Sequence, residues 1–493
     1  MNKRFCLLLL SFKKHYCFLF TCTFLFLPGF FNAARAITKH STASGTWNNP
    51  ASWSPYGVPQ SIDNTIILST HTITVDNAAE ANSITIDENG ELKFLQAKIL
   101  TLHAALIVYG KMTMNNGDLH FSSGSFILGP NSTFTWEPNS NTPAGASLFT
   151  NGTEHFDPSS TLIIKKWYDY SSVPLGSVVT GDFGNVTLNS LSNGLLYEWN
   201  QNNQFETHKI LGTLTIDQGW IVLDKSGSIG NTVIGNIILL TPNSFLDFHK
   251  GTHNGSFIVT TKNISNTGGS LNGIYNGNGT VALNVTGNFY NLGNVTLIYN
   301  TGVFNVGNGN ATLNVAGDFN QSAGDFRAIF NLTTTNAGVA DLTFNNINLT
   351  GGIMISHYAC HSSIASCNFK VNGNLNINFN NTTDKFRVVG LTSLSGIFNN
   401  AKANLSVNGN LVIAGNPNAE FTSSGSVGAE TVTIGGNISI SGGTNNFNMG
   451  SHQVTFNTNG AIQITGGTTA LSKFPGTATV KIGGNYTQSS GIF

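Results

Sequence analysis

Charge is the scarcest commodity in this chain. Only 9% of its 493 residues are Asp, Glu, Lys or Arg, against about 25% in an ordinary soluble domain. Disorder requires high charge and few apolar groups, and the 40% hydrophobic content argues against it. The polar surface must therefore be built from Asn, Thr, Ser and Gly. Arginine is reduced to Arg4, Arg35, Arg327 and Arg387, which leaves no basic stripe for nucleic acid. Only 12 prolines occur, as suits a fold in which backbone N–H groups are needed for strand pairing. Met is rare (5) and Phe abundant (34), a balance that favours strands over helices.

Recognisable catalytic phrases are also missing. There is no Gly-x-Ser-x-Gly, His-Glu-x-x-His or phosphate-binding loop, and no calcium-binding nonapeptide. Glycoside hydrolysis needs two carboxyls about 5–10 Å apart. The tight acidic doublet is Asp87-Glu88, in a turn before Asn89-Gly90, and after Arg327 the only acids are Asp341, Asp384, Glu420 and Glu430. A non-catalytic chain without a cofactor is expected.

Past the N-terminus no apolar run reaches the roughly 20 residues of a membrane span. The N-terminus itself has the form of a targeting segment. Lys3, Arg4, Lys13 and Lys14 precede an apolar run from Tyr16 to Phe31, broken by Pro28, and Ala34-Arg35-Ala36 is a small-x-small cleavage signal. Cleavage near Ala36 would remove five of 22 basic residues and none of 23 acidic ones, leaving a net charge of −6. It would also remove Cys6, Cys17 and Cys22. The two remaining cysteines, Cys360 and Cys367, are close enough in an exported chain to suggest one local disulfide. The framework would then rest on packing and hydrogen bonds.

What the chain has in quantity is a repeated phrase: an aliphatic residue, a small or polar one, Gly-Asn or Gly-Asp, then a β-forming stretch. It occurs at Val285-Thr286-Gly287-Asn288-Phe289, Val315-Ala316-Gly317-Asp318-Phe319 and Val371-Asn372-Gly373-Asn374-Leu375. It returns at Val407-Asn408-Gly409-Asn410-Leu411, Ile434-Gly435-Gly436-Asn437-Ile438 and Ile482-Gly483-Gly484-Asn485-Tyr486. From Gly287 to Gly317 is 30 residues, from Gly373 to Gly409 36, from Gly409 to Gly436 27, and on to Gly460 and Gly484 24 each. Self-similarity at this period marks a stacked repeat architecture. Apolar residues alternate, as in Val454-Thr455-Phe456, and helical periodicity is nearly absent. Val315, Phe319 and Phe326 are expected to point inward onto their counterparts in the next coil. The Gly is expected to supply a backbone conformation or close approach that a Cβ would block. The Asn beside it is expected to tolerate a left-handed corner and to hydrogen-bond along the axis.

Residues 37–105 carry a separate pattern: Trp47 and Trp53, then Pro59, Asp63, Ile67, Val75-Asp76, Ile84, Ile86, Gly90, Leu92 and Phe94. This resembles the opening of a G8-like module, such as begins many large exported bacterial surface proteins. The unit Val315 to Phe326, closely repeated at Ile482 to Phe493, is similar to the β-helical arrays of adhesin-like proteins exported by the type IX route. That resemblance implies a secreted or cell-surface location and contact with outer-membrane export machinery during secretion. It implies no defined enzyme activity.

The fold expected is all-β: a right-handed parallel β-helix behind a G8-like module. The divisions expected are a signal peptide (1–36), the G8-like module (37–105), irregular coils (106–230) and regular repeats (231–493). Because the chain stops inside a repeat phrase, with no polar cap over its strand edges, the array is expected to continue beyond residue 493.

Site candidates are few. Trp167, Tyr170, Tyr197 and Trp199 lie among carboxylates and are the best ligand contacts, since aromatic faces stack on sugar rings; the same rings could instead pack under loops. His357, Cys360, His361 and Cys367 offer four N/S donors for zinc, but at an unusual spacing that a disulfide-stapled or free-thiol insertion explains better, so no metal is assigned. His249 and His253 are expected in a solvated loop. Function is expected to be structural and adhesive, toward glycans, cells or solid surfaces, through many weak repeated contacts. The alternative is a polysaccharide lyase or glycoside hydrolase on the same scaffold.

Overall fold

Short alternating segments separated by Gly, Asn and Ser can bury their apolar face by lying on a copy of themselves. A computed structural model describes residues 36–121, 124–137, 152–166, 182–190, 196–198, 209–224, 230–250, 255–275, 278–300, 309–331, 338–358, 365–388, 402–416, 418–422, 430–446, 453–471 and 477–492. Residues 1–35 of the expected targeting segment lie outside this set. The described residues form strands and tight corners, with a single 3-10 turn at Pro50–Ser52. Their strands pair in parallel, coil on coil, into a β-solenoid; the exception is Thr38–Ser41, antiparallel to Trp53–Ser54.

One coil shows how the repeat works. Thr280–Val285, Phe289–Asn291 and Asn294–Asn300 form its first, second and third faces. In the next coil Asn310–Gln321 crosses the first two faces and Asp325–Asn331 forms the third. The register sets Val315 on Val285, Phe319 on Phe289 and Phe326 on Val295. All three are buried, as the alternation requires. Phe319 meets Phe289 below it at 5.2 Å, Phe344 above it at 5.3 Å and Phe326 of its own coil at 5.3 Å between ring centroids. Each such buried side chain contributes about 1.5–3 kcal/mol before ordering costs.

The glycine spacing is the coil length. Gly317 N–H donates to the Gly287 carbonyl at 2.9 Å, Gly409 to Gly373 at 2.9 Å, Gly436 to Gly409 at 2.9 Å, and Gly460 to Gly436 and Gly484 to Gly460 at 3.1 Å. Asn carboxamides run beside this column. Asn263 Oδ1 accepts the Asn288 N–H at 2.9 Å and Asn288 Oδ1 accepts that of Asp318 at 2.9 Å. Asn346 Nδ2 donates to Asp318 Oδ1 at 2.9 Å. Further up, Asn346, Asn374 and Asn410 accept from Asn374, Asn410 and Asn437 in turn, each at 2.8 Å. The expected axial ladder is therefore present.

Its geometry differs from the expectation in one respect. The Asn residues of the phrase are not left-handed: the described non-glycine residues with positive φ are Thr70, Asn89, Ala97, Asn116 and Asn131, all before the regular repeats. The glycine is required by close approach instead. A Cβ on Gly373 would stand 2.1 Å from Asn346 Oδ1. The left-handed residue lies at the next corner, before the third face, where Gly324 has φ +68° and a Cβ would stand 2.0 Å from the Gly293 carbonyl oxygen.

At the N-terminal end the antiparallel pair folds over the first coils. Trp47 and Trp53 are buried there with ring centroids 5.1 Å apart, and Trp53 Nε1 donates to the Trp47 carbonyl at 2.8 Å. Asp63 accepts the backbone N–H groups of Ile37 at 3.2 Å and Gln60 at 3.0 Å. Asp76 Oδ1 accepts from Asn48 N at 3.3 Å and Nδ2 at 3.2 Å. These motif residues thus tie loops to the first coils. The strand Ile99–Val108 runs across residue 105 and pairs with strands on both sides of it, so the module passes into the solenoid without a break in pairing.

The clash of Gly373 with Asn346 makes a coupled prediction. Gly373→Ala is expected to lower Tm in the native background and to lower it less when Asn346 is already Ala, a coupling of about 1 kcal/mol. Equal Tm losses in the two backgrounds, measured by scanning calorimetry, would contradict the close-approach account.

Candidate functional site: an aromatic groove on the third face

The register that stacks the core also stacks the residues facing outward. On the third face Ile221, Leu246, Leu271, Val295 and Phe326 form one buried column. One residue further along each strand comes a second column: Val222, Asp247, Asn272, Thr296 and Arg327. Beyond it Lys250, Tyr275, Tyr299 and Phe330 stand in register, and on the other side Trp220 aligns with Phe245, Ser270, Asn294 and Asp325. From these columns Trp220, Phe245, Ser270, Asn294 and Asp325 on one side and Tyr275 and Tyr299 on the other line a groove of about 580 Å³ that runs from coil to coil, with Asn272, Thr296 and Arg327 as its floor; Asp247 is fully buried.

The walls are built by stacking. Tyr275 and Tyr299 lie 5.1 Å apart with planes 9° from parallel, and Tyr299 and Phe330 5.0 Å apart at 10°. Their faces are occupied by one another. Trp220 is turned differently, 78° to Tyr275 at 5.5 Å. The Lys250 ammonium sits 4.2 Å from the Trp220 ring centre and 5.1 Å from that of Tyr275, a cation–π arrangement.

Asp247 anchors the Trp220 end. It is fully buried, with Oδ2 accepting from Trp220 Nε1 at 2.8 Å and Oδ1 from Asn272 Nδ2 at 2.7 Å. Burial pushes its carboxyl up to about 6, against the opposing pull of these two hydrogen bonds and of Lys250. Burial, then Asp247 and Tyr299, also raises the Tyr275 phenol. At the far end Arg327 pairs with Asp325 and lies 5.6 Å from the Phe330 ring centre. The local charges are thus internally matched. Among the described residues, no three His, Cys, Asp or Glu side chains gather to hold a metal.

Of the residues singled out from sequence, Trp167, Tyr170 and Trp199 lie outside the described set. Tyr197 is on Leu196–Glu198, which belongs to this same face one coil before Trp220; its register partner is Ile221. Cys360, His361 and His253 also lie outside. His357 is on the strand Ile353–Tyr358, in register with Ile329. Cys367 is a buried free thiol in line with Ala340 and Ala403, and burial holds it well above the usual thiol range. The solvated-loop expectation for His249 is corrected: it lies on Ser244–Lys250, 2% exposed, with Nδ1 2.9 Å from Asp224 Oδ2. It stands in register with the buried Ile274, and a buried carboxylate meets it there.

The groove itself escaped sequence reasoning. Its signal was an aromatic recurring at the coil period: Trp220 and Phe245, then Tyr275 and Tyr299, are 25 and 24 residues apart.

Residues 52–133 match the G8 domain family. The match takes in Trp53, Asp63 and Asp76, and extends past residue 105 into the following coils. No curated protein and no solved structure matches the chain. A G8 domain at the head of a parallel β-solenoid is the architecture, and both are consistent with an extracellular repeat protein.

Asp247 predicts a pH effect of definite sign. Its folded-state pKa lies above the unfolded value of 3.8, so its contribution to stability is fully present below that value and is lost as pH rises through about 6. Asp247→Asn cannot ionise and should therefore gain Tm relative to the unaltered chain between about pH 4 and about pH 7. A Tm difference independent of pH across that window would show that the carboxyl titrates normally.

Proposed function

We propose that this chain is an exported, non-catalytic surface protein whose solenoid holds a repetitive face out to extracellular glycans, with the third-face groove as its contact surface. The observation that carries this reading is the arrangement of the groove. Aromatic, amide and hydroxyl groups recur coil after coil in columns, which suits many weak parallel contacts with a polymer. A reaction centre would instead gather its groups at one point. The combination of rings with amides and hydroxyls suits a ligand rich in both C–H and O–H groups. Export is supported by the basic-then-apolar N-terminus with its small-x-small signal.

One observation favours the enzymatic alternative: a carboxyl with a raised pKa, such as Asp247 beside the groove-lining Trp220, is a common mark of an acid catalyst. Both Asp247 oxygens, however, already accept N–H donors, and Asp325, three coils further along, is paired with Arg327. Asp247 reads better as the clamp that orients Trp220.

A glycan array followed by a reducing-end assay on every binder separates the two. The full chain should bind at least one polysaccharide class, Trp220→Ala should weaken that binding about tenfold or more, and no new reducing ends should appear. Reproducible release of reducing ends, abolished by Asp247→Asn, would replace the adhesive reading with a hydrolytic one.

A further inference from the structure

Resting on the glycan reading above, we propose that the groove takes an extended, uncharged polysaccharide lying along the solenoid axis, one sugar residue per coil. Three observations lead there.

The first is period. Successive rings of the wall advance by 5.1 and 5.0 Å, close to the roughly 4.8 Å separation of adjacent strands. The floor offers one side chain per coil at the same period: Asn272, Thr296 and Arg327. A pyranose chain joined through equatorial bonds is nearly straight and advances by a similar distance per residue. It can therefore stay in register over several coils. A chain with axial linkages coils and advances less per residue, so it loses register after one or two contacts.

The second is charge. Arg327 is matched by Asp325, Lys250 lies over two rings, and Asp247 is engaged by two N–H donors. An acidic polysaccharide would have to break the Arg327–Asp325 pair to find its counter-charge. A neutral one has only to exchange hydrogen bonds with water for hydrogen bonds with amides and hydroxyls.

The third is ring orientation. The Tyr275–Tyr299–Phe330 stack has its faces turned along the axis and used internally, so it borders the groove as a wall. Trp220, at 78° to this stack and with Lys250 over its ring, closes one end of the groove, where the chain ends or begins.

The test is titration calorimetry of the full chain with cello-oligosaccharides of increasing length, set beside maltohexaose and an oligogalacturonate. Affinity should rise about tenfold or more from the disaccharide to the trisaccharide and then level off, because the floor spans three coils. Maltohexaose and the oligogalacturonate should each bind about tenfold or more weakly. Asn294 is exposed at the rim of the groove, so Asn294→Trp should fill it and abolish binding with Tm unchanged, whereas Trp220→Ala risks the fold through its partner Asp247. Equal affinity for maltohexaose, preference for the acidic chain, or indifference to length would overturn the extended neutral ligand while leaving the glycan reading intact. Undiminished binding by Asn294→Trp would move the site elsewhere. Failure of the folded chain to bind any glycan in the series or on the array would overturn both.

Discussion

The repeat array depends on one contact repeated along the axis: at the corner between the first and second faces, a backbone N–H reaches the Asn carboxamide of the coil below, beside a glycine that lets the two come together. Strand ladders hold the flat faces of a solenoid, but a corner has no ladder, and a buried unpaired N–H there would cost about 1–3 kcal/mol. Asn supplies the missing acceptor, and Gly supplies the space for it. Neither works alone, because the oxygen that caps one coil occupies the site of the next coil's side chain. This pairing explains why the phrase is Gly-Asn and why it recurs whatever the coil length, from 24 to 36 residues.

Once corners are locked in register, every outward side chain is also placed in a column. On the first and second faces this yields further amide ladders, such as Asn320–Asn348–Asn376, with Nδ2 donating to Oδ1 at 2.9 Å in both steps. On the third face it yields the ring wall and polar floor of the groove. The same constraint therefore produces the scaffold and the candidate binding surface. This is economical for a chain with 9% charged residues: specificity can come from a periodic arrangement of neutral groups, without ion pairs. The few charges in the groove are used locally, to orient Trp220 and to fix Arg327.

Much of the fold was legible in the sequence because the repeat phrase is set by backbone geometry. The parallel solenoid, the inward positions of Val315, Phe319 and Phe326, and the axial Asn ladder follow from Gly and Asn at a fixed offset from aliphatic residues. The G8 pattern was legible for a related reason: Asp63 and Asp76 sit in loops, and Trp53 on the short antiparallel strand over the first coils, where few other residues make the same hydrogen bonds. The left-handed corner was misplaced, since close approach and positive φ both select glycine and only coordinates separate Gly373 from Gly324. The groove was not legible, because its columns join residues from five coils whose lengths differ, so Tyr299 and Phe330 fall 31 residues apart and Tyr275 and Tyr299 only 24. His249 misled because an isolated histidine beside Lys250 and Gly251 looks solvated, and its buried partner Asp224 lies in the preceding coil.

A glycan lying along the third face would touch several successive coils at once. Hydrogen–deuterium exchange of the full chain, with and without a saturating cello-oligosaccharide, tests it most directly. Slowed exchange is expected in Ser244–Lys250, Ser270–Tyr275 and Asn294–Asn300 together, with Thr280–Val285 on the first face and Val339–Leu349 across the first two faces unchanged. Protection confined to one coil, or appearing on the first face and sparing the third, would contradict it.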